Sequence, residues 1–462
     1  MFNNFKAVLI PILVALGAGA ALFWVNASNS DPIETRIPGM EENFTATAVI
    51  QQVDIIPAQL IPGDGIPSAS TASWNQFRGD NRDAITKINY TLNTDYETQK
   101  PAILWQKHLG EGHSGAAVLN GRVYVLDYDM EKDGDLLRCL SLDDGKDIWQ
   151  YFYPIKIKRN HGMSRTIPAI TEKYCLSLGP KAHLLCFNPI DGTLLWQKDL
   201  VAEYGTTIPD WYVGQCPLIE NDIALIAPSG SKTLIMALDC ASGKPLWEIP
   251  NQLNWKMTHS SIMKMDYMVT DTYIYCGSGG VIGFDIAGKV LWHFDNWKVK
   301  IANIPAPLVC DNNKILLTGS YNAGAKMIQL SGPVDAIKVN EVFTLSPKVF
   351  GSKQQSPMFY KGDIYGIRQD GRLCCMNTDG EILWTGEDDF GFGPCMIIND
   401  IIFAMDDHCT LRLVRATNQA YQKLTELEII EGHDSWAPFA VADDKLILRD
   451  MTEMLCITIA KP

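Results

Sequence analysis

The N-terminal part of this 462-residue chain lacks cysteine, because the first of its twelve cysteines is Cys139 and the last is Cys456. The twelve show no paired spacing of the kind that small secreted domains use as a disulfide framework. Several, such as Cys186 and Cys276, fall on apolar positions, where a free thiol behaves as a small hydrophobic side chain. We therefore expect mostly reduced, buried thiols, and we expect no lipid-modified cysteine near the N-terminus.

Basic residues are also few. The chain has 39 Lys and Arg against 53 Asp and Glu, which gives a net charge of −14 and a pI near 5.0. Nucleic-acid-binding surfaces are basic, so this balance argues against a nucleic-acid partner. No segment resembles a nucleophile elbow, a phosphate-binding glycine loop or a pair of catalytic carboxylates. An enzymatic role is therefore left open but not predicted.

One long apolar run stands near the N-terminus. Residues 7–25 carry no charge, and 19 residues come close to the length that spans a bilayer. Lys6 precedes the run and Asp31 follows it, so the positive-inside rule puts the N-terminus in the cytoplasm and the rest of the chain outside. We predict a signal-anchor or transmembrane helix within 1–27, a single-pass protein of the cell membrane and a periplasmic main body. A cleaved signal peptide is the alternative.

Residues 28–73 are rich in proline and contain no repeat, so we predict an extended linker there. A short unit then recurs. At Ala237–Trp247 it reads Ala-Leu-Asp-Cys-Ala-Ser-Gly-Lys-Pro-Leu-Trp, which predicts a strand end, a tight turn at Gly243 and a new strand carrying Trp247. Glycine supplies the positive φ that such a turn needs. The tryptophans of the series are Trp105, Trp149, Trp196, Trp247, Trp292 and Trp384.

The spacing of these tryptophans identifies the architecture. The first five are 44, 47, 51 and 45 residues apart, and the gap of 92 before Trp384 leaves room for a degenerate unit with Phe343. Repeats of this length with four strand signals each are typical of propeller blades. We predict an all-β, eight-bladed β-propeller over residues 74–462, with the tryptophans docking neighbouring blades onto each other.

The two ends of the repeat region complement each other. The C-terminus stops after a third-strand signal at 454–459, whereas a tryptophan-bearing strand stands alone at 101–108. We predict that strand 101–108 completes the last blade, which removes an open sheet edge.

The turn-plus-tryptophan units resemble the PQQ-like β-propeller repeat family, whose pattern is Ala-x-Asp-x-x-x-Gly-Lys-x-x-Trp. The segment Trp-x-x-Phe-Arg-Gly-x-x-Arg-Asp at 74–83 is similar to the lead-in of exported proteins with these repeats. Its aromatic residues could plug one face of the ring while Arg78 and Arg82 pair with acidic loops, or the segment could simply pack on the propeller. The size and blade number are BamB-like, which implies a protein-interaction scaffold or accessory subunit of a membrane complex, with other membrane or exported proteins as partners.

Quinoprotein dehydrogenases share the repeat and imply an alternative, a ligand-binding protein or oxidoreductase that uses PQQ with calcium. This chain lacks their extra length. The adjacent Cys374 and Cys375 resemble their vicinal disulfide only superficially, because consecutive strand residues point to opposite faces. We therefore predict neither a cofactor nor a metal, and PQQ with calcium stays the alternative.

Polar and aromatic residues precede the first strand of successive blades, and four of the eight histidines lie in this phase. These loops share one face of the ring, so we expect them to converge at a mouth of the central channel. The histidines could ligate a metal or take up protons, Arg165 could hold a carboxylate or phosphate, and the aromatic rings could stack on a ligand; alternatively, the polar groups only bind channel water. The candidate residues are His113, His161, Arg165, Trp211, Gln215, His259, Gln355, His433 and Trp436.

Overall fold

The computed structural model describes residues 58–461, whose regular structure is almost entirely β. The predicted transmembrane segment within 1–27 and linker residues 28–57 lie outside the described residues. Between residues 58 and 461, no helix is long and apolar enough to cross a membrane. The helix α1 (Leu200–Tyr204) is capped by Asp199, whose carboxylate accepts hydrogen bonds from the backbone N–H groups of Val201 and Ala202.

Four short strands precede the first complete blade: β1 (Gln59–Pro62), β2 (Ser73–Trp74), β3 (Ile85–Thr86) and β4 (Ile103–His108). Blade 1 contains β5 (Ala117–Leu119), β6 (Arg122–Asp129), β7 (Gly134–Ser141) and β8 (Asp147–Pro154). Blade 2 contains β9 (Ala169–Ile170), β10 (Cys175–Leu178), β11 (His183–Phe187) and β12 (Leu194–Asp199). Blade 3 contains β13 (Leu218–Glu220), β14 (Ile223–Ile226), β15 (Thr233–Asp239) and β16 (Pro245–Pro250). Blade 4 contains β17 (Met263–Tyr267), β18 (Thr270–Gly277), β19 (Gly280–Asp285) and β20 (Val290–Phe294).

Blade 5 contains β21 (Leu308–Cys310), β22 (Lys314–Gly319), β23 (Gly324–Ser331) and β24 (Lys338–Leu345). Blade 6 contains β25 (Met358–Tyr360), β26 (Asp363–Ile367), β27 (Arg372–Asn377) and β28 (Ile382–Asp389). Blade 7 contains β29 (Cys395–Ile398), β30 (Ile401–Met405), β31 (Thr410–Arg415) and β32 (Lys423–Glu428). Blade 8 contains β33 (Ala440–Ala442), β34 (Lys445–Arg449), β35 (Glu453–Thr458) and the early strand β4. The eight four-stranded antiparallel blades confirm the predicted eight-bladed propeller.

The ring closes through the strand that the sequence assigns to this role. β4 pairs antiparallel with β35, and Trp105 lies opposite Cys456. The first strands of blades 8 and 1, β33 and β5, are in contact, as are those of blades 1 and 2, so the first strands line the channel. The last sheet is thus built from both ends of the described chain.

The hydrophobic core lies between adjacent blades rather than within one blade. One cluster joins Leu176 and Leu184 of blade 2 to Ala224 and Met236 of blade 3. Each sheet is apolar on both faces because each face packs on a neighbour. This explains why most middle strands read as nearly continuous apolar runs instead of alternating ones.

The repeated tryptophans reach the turn of the following blade. Trp196 lies against Gly243, where an added Cβ would be 2.5 Å from the indole ring, and its Nε1 donates to the carbonyl oxygen of Cys240 at 2.7 Å. Trp105, Trp149 and Trp247 make the same two contacts with the next blade. The turn glycine therefore supplies both a positive φ and the space for the ring.

Two of the tryptophans depart from this pattern. Trp384 donates to the carbonyl oxygen of Thr417, in a turn that has no glycine. The Nε1 of Trp292 has no partner among the described residues. The corresponding segment of blade 5, residues 332–337, lacks the Asp-x-x-x-Gly pattern, although Trp292 still packs with Ile315 of that blade.

The last part of the predicted linker belongs to the propeller. β1 pairs with β8 at the outer edge of blade 1. The following residues run along the same blade, where Gly63 and Ser68 donate backbone N–H groups to Ile148 and Gly121. The boundary expected at residue 73 is therefore too late by at least fifteen residues of ordered chain, since the paired segment begins at Gln59.

Residues 74–84, which we call the plug, fill the central channel. β2 joins the inner edge of blade 1 through β5, and β3 joins the inner edge of blade 7 through β29. Between these strands the backbone carbonyl of Asn75 accepts from Ile170 of blade 2. The plug thus bridges blades on several sides of the ring.

The two arginines of the plug bind carbonyl groups and not the acidic loops that the sequence suggested. Arg78 donates from Nη1 to Ser356 at 2.6 Å and from Nη2 to Pro357 at 2.7 Å. Arg82 donates from Nη1 to Pro217 at 3.2 Å. Backbone carbonyls accept hydrogen bonds from both guanidinium groups without neutralising their charge, and Nε and Nη2 of Arg82 have no hydrogen-bond partner among the described residues.

The plug enters and leaves the channel on the face opposite the mouth. Before it, Ser68 donates to Gly121 in the turn after β5. After it, Ile88 donates to the side chain of Asn399 in the equivalent turn after β29. The mouth residues precede the first strands and so lie at their other ends. The channel is therefore filled from the far face, and the mouth ends on the plug.

Candidate functional site

A cavity of about 340 Å³ lies at the mouth of the channel. Seven of the nine predicted residues line it: His113, His161, Arg165, Trp211, His259, Gln355 and Trp436. The plug contributes four more lining residues: Trp74, Phe77, Arg78 and Ala84. The expected convergence of the loops is therefore observed, with the plug as the floor.

Two predicted residues do not line the cavity. Gln215 is 0% exposed, and its amide group bonds to both backbone groups of Ala227, at 2.9 and 3.2 Å. His433 has a 69% exposed side chain and lies 3.3 Å from the carboxylate of Asp434. Gln215 thus has a structural role, and His433 lies outside the cavity.

Other lining residues escaped the sequence reasoning. Ile304 and Phe392 precede the first strands of blades 5 and 7, the same phase as the predicted residues. Their phase could have identified them. Tyr321 comes from the turn between β22 and β23, which also reaches the mouth, and no local signal marks that turn.

His113 is held on two sides. Its ring stacks on Trp436 with centroids 4.6 Å apart, and its Nε2 lies 2.9 Å from the carbonyl oxygen of His161. A carbonyl can only accept, so Nε2 carries the hydrogen. Burial, with the nearby charges of Arg165 and Arg449, lowers the pKa of His113 to about 3. The ring is therefore neutral at pH 7.

His259 resembles His113 electrostatically. It is 7% exposed, and burial together with Arg165 lowers its pKa to about 4. Gly214 lies close against its ring, since a Cβ there would be 2.7 Å away. Both buried histidines thus contribute uncharged rings to the site.

Arg165 binds its own loop. Its two terminal nitrogens donate to the carbonyl oxygens of residues 160–163, at 2.8 to 3.3 Å. Burial lowers its pKa to about 10, so it keeps its charge at pH 7. The same direction and value hold for Arg78 and Arg82 of the plug.

The lining of the cavity contains cations but no carboxylate. Arg78 and Arg165 contribute to the wall, and none of the lining residues is Asp or Glu. Asp407, which touches the wall, accepts hydrogen bonds from Nε1 of Trp436 and the backbone N–H of Phe392, both at 2.8 Å. A protein of net charge −14 thus encloses a positive cavity.

The backbone is strained around this cavity. Five lining residues other than glycine have positive φ: Arg78, Ala84, His161, Trp211 and Tyr321, with values from 50° to 64°. Residues other than glycine rarely have a positive φ, and such backbone strain clusters at functional sites. Trp211 and Tyr321 face each other with ring planes 8° apart and centroids 6.2 Å apart.

These residues do not fit a quinone with calcium. Calcium takes oxygen ligands, chiefly carboxylates, and the lining supplies no carboxylate. Cys374 and Cys375 are buried free thiols that belong to two different hydrophobic clusters, and neither lines the cavity. In the part of the chain that the structure describes, no group of three or more His, Cys, Asp or Glu could hold a metal ion.

Comparisons with known proteins agree with the fold. A family model described as "Outer membrane protein assembly factor BamB" matches residues 132–331, which confirms the resemblance to PQQ-like propeller repeats. BamB from Moraxella catarrhalis is 15% identical, with a TM-score of 0.54 over 78% of this chain and 100% of its own. A europium-containing methanol dehydrogenase is 11% identical, with a TM-score of 0.62 over 84% of this chain and 98% of its own. No curated protein sequence is similar enough to count as a match.

Proposed function

We propose that this chain is a membrane-tethered, exported propeller that acts as a protein-interaction scaffold or accessory subunit of a membrane complex. The observation that carries the proposal is the similarity to an assembly factor over residues 132–331, in a propeller whose cavity lacks acidic groups. The dehydrogenase-like alternative has less support, because a quinone with calcium does not fit the lining residues.

The rim of the ring offers surface for partners. The outer strands carry exposed apolar residues just before the docked tryptophan, among them Leu195 in β12 and Leu246 in β16, which is 52% exposed. Ile190, in the turn before β12, is exposed as well. Among residues 58–461, only blade 1 has its outer strand covered by a further strand, β1. Uncovered edges and apolar side chains are features that interacting sheets use.

The tether follows from residues 7–25, which lie outside the described residues. An uncharged run of bilayer length that is retained would hold the propeller at the membrane. Burial of all twelve cysteines is compatible with an exported location, because a buried thiol is shielded from oxidants.

The test is the native mass of the protein after gentle detergent extraction from its own membranes. We expect a defined assembly much heavier than one chain, with co-purifying proteins. Serine at both Leu195 and Leu246 should release partners if the rim binds them, whereas serine at the exposed Leu253, outside the outer strands, serves as the control. A species of one-chain mass would contradict the scaffold role, and release by alkaline carbonate without detergent would contradict the anchor.

A further inference from the structure

We propose that the mouth cavity binds a carboxylate attached to a flat apolar ring. The inference goes beyond the scaffold role and does not depend on it. The shared chemistry has two sources: a free aromatic acid, or the C-terminal carboxylate of a chain that ends in an aromatic residue.

The lining of the cavity is positively charged, which favours an anionic ligand. Some arginines elsewhere in the propeller have carboxylate partners: Arg138 binds Asp127 at 2.7 Å, and Arg412 binds Asp406 at 2.7 Å. Arg78 and Arg165 instead bind carbonyl oxygens only, and both line the cavity. Neither guanidinium group of the lining therefore has a hydrogen-bonded carboxylate among the described residues, and the same holds for the buried Arg449, whose charge acts on His113.

Arg82 strengthens the positive field from behind the floor. It is 2% exposed, and its Nε and Nη2 have no partner among the described residues. Charges buried without a counter-charge are costly to the fold. Asp83 of the plug interacts electrostatically with Arg78, so an anion in the cavity would supply counter-charge chiefly to Arg82 and Arg165.

The walls of the cavity present aromatic rings to a ligand. Trp211 and Tyr321, from blades 3 and 5, present nearly parallel rings, and the stacked pair of His113 and Trp436 comes from blades 1 and 8. The two buried histidines of the lining, His113 and His259, are uncharged at pH 7 and therefore present neutral rings to a ligand. Flat apolar groups pack well on such faces.

The volume of the cavity and the closure of its floor limit what can bind. About 340 Å³ lies at the lower end of the range for small-molecule pockets. The plug closes the floor, so only a small molecule or the end of a chain can enter. The positive φ at Trp211, His161 and Tyr321 shows that the fold keeps strained residues in the wall.

The test measures binding to the purified, detergent-solubilised full chain by calorimetry. The free-acid probe is 2-naphthoate, and 2-naphthamide has the same ring without the charge. The chain-end probe is a short peptide that ends in phenylalanine, as the free acid and as the amide. We expect each binding acid to exceed its amide by about tenfold or more in affinity. Tighter binding of the peptide acid assigns the site to a chain end, and tighter binding of naphthoate assigns it to a small molecule.

Variants locate the binding. Arg165→Gln should weaken the acid by about tenfold, and Arg165→Lys should restore part of the loss because the charge returns. Arg372→Gln, at an exposed position at the start of β27, is the matched control and should change nothing. Arg165 also holds its own loop, so Tyr321→Leu, at a 40% exposed side chain, provides a second test and should weaken both acids.

The inference would be overturned by no binding of either acid, or by equal binding of acids and amides. A loss with Arg372→Gln equal to that with Arg165→Gln would overturn it too, because the effect would then be general charge. These results come from the purified protein and leave the native mass in membranes untouched, so failure here is distinct from failure of the scaffold role.

Discussion

Single buried residues set the electrostatics of the mouth. Burial and nearby arginine charges act on His113 and His259, and the cavity lining contains no acid, so the fold favours their neutral forms. The residue type alone suggested metal ligation or proton uptake near pH 7. The surroundings decide otherwise, because burial makes the charged imidazole unfavourable.

His259 should make stability depend on pH. Its pKa is about 4 in the folded protein and near 6.5 when unfolded, so between these values only the unfolded chain takes up the proton. Stability therefore falls as the pH drops through this window. From pH 7 to pH 5 the wild type should lose about 2 kcal/mol more than His259→Gln, in urea unfolding at both pH values.

The buried Asp135 acts in the opposite direction, since burial raises its pKa to about 7. Its effect is common to the wild type and to His259→Gln, so it cancels in the comparison. Parallel slopes for the two proteins would show that His259 is not held neutral.

The position of a side chain within its loop explains which site residues the sequence could identify. Gln215 has the right phase, but its neighbours Gly214 and Cys216 line the cavity in its place. Alternate residues of extended chain point to opposite sides, so the side chain of Gln215 points into the blade. A motif gives the loop, whereas the direction of each side chain depends on the backbone of that loop.

At the scale of elements, the turn glycine and the tryptophan of the preceding blade form one unit. Gly243 has a φ of 67°, and Trp196 lies where a Cβ would extend. This unit repeats with regular spacing, which is why the fold could be predicted from the sequence.

Gly243→Ala should destabilise the propeller by about 3 kcal/mol, from a left-handed backbone and a clash with the indole. Gly362→Ala is the control: its φ is 91°, but nothing lies within 4 Å of the added Cβ. The control should cost only about 1 kcal/mol. Equal losses in denaturant unfolding would mean that the contact with Trp196 contributes nothing.

The elements before the first blade were harder to predict. β1 ends at Pro62, and a proline-rich segment is typical of a linker. An outermost strand tolerates proline because one row of its backbone groups needs no partner. The plug carries no repeat, so its place in the channel depends on contacts with blades far along the chain.

At the scale of the whole molecule, the cysteines report on the packing between blades. All twelve are buried and free, and burial raises the pKa of each thiol, for Cys395 to about 11. A maleimide should therefore label none in the native protein and twelve after unfolding without reductant. The melting temperature should not change with reductant. Fewer than twelve labels after unfolding would reveal a disulfide.

The pairing of β4 with β35 also orders events during synthesis. Gln106 and Glu453, which hydrogen-bond across this pair, are 347 positions apart in the chain. Contacts of such separation form late, since a long loop must first be closed. β4, which carries Trp105, is synthesised early and therefore stays unpaired until β35 has left the ribosome. Until then blade 8 is incomplete, and the edge of β4 that pairs with β35 in the mature protein is exposed.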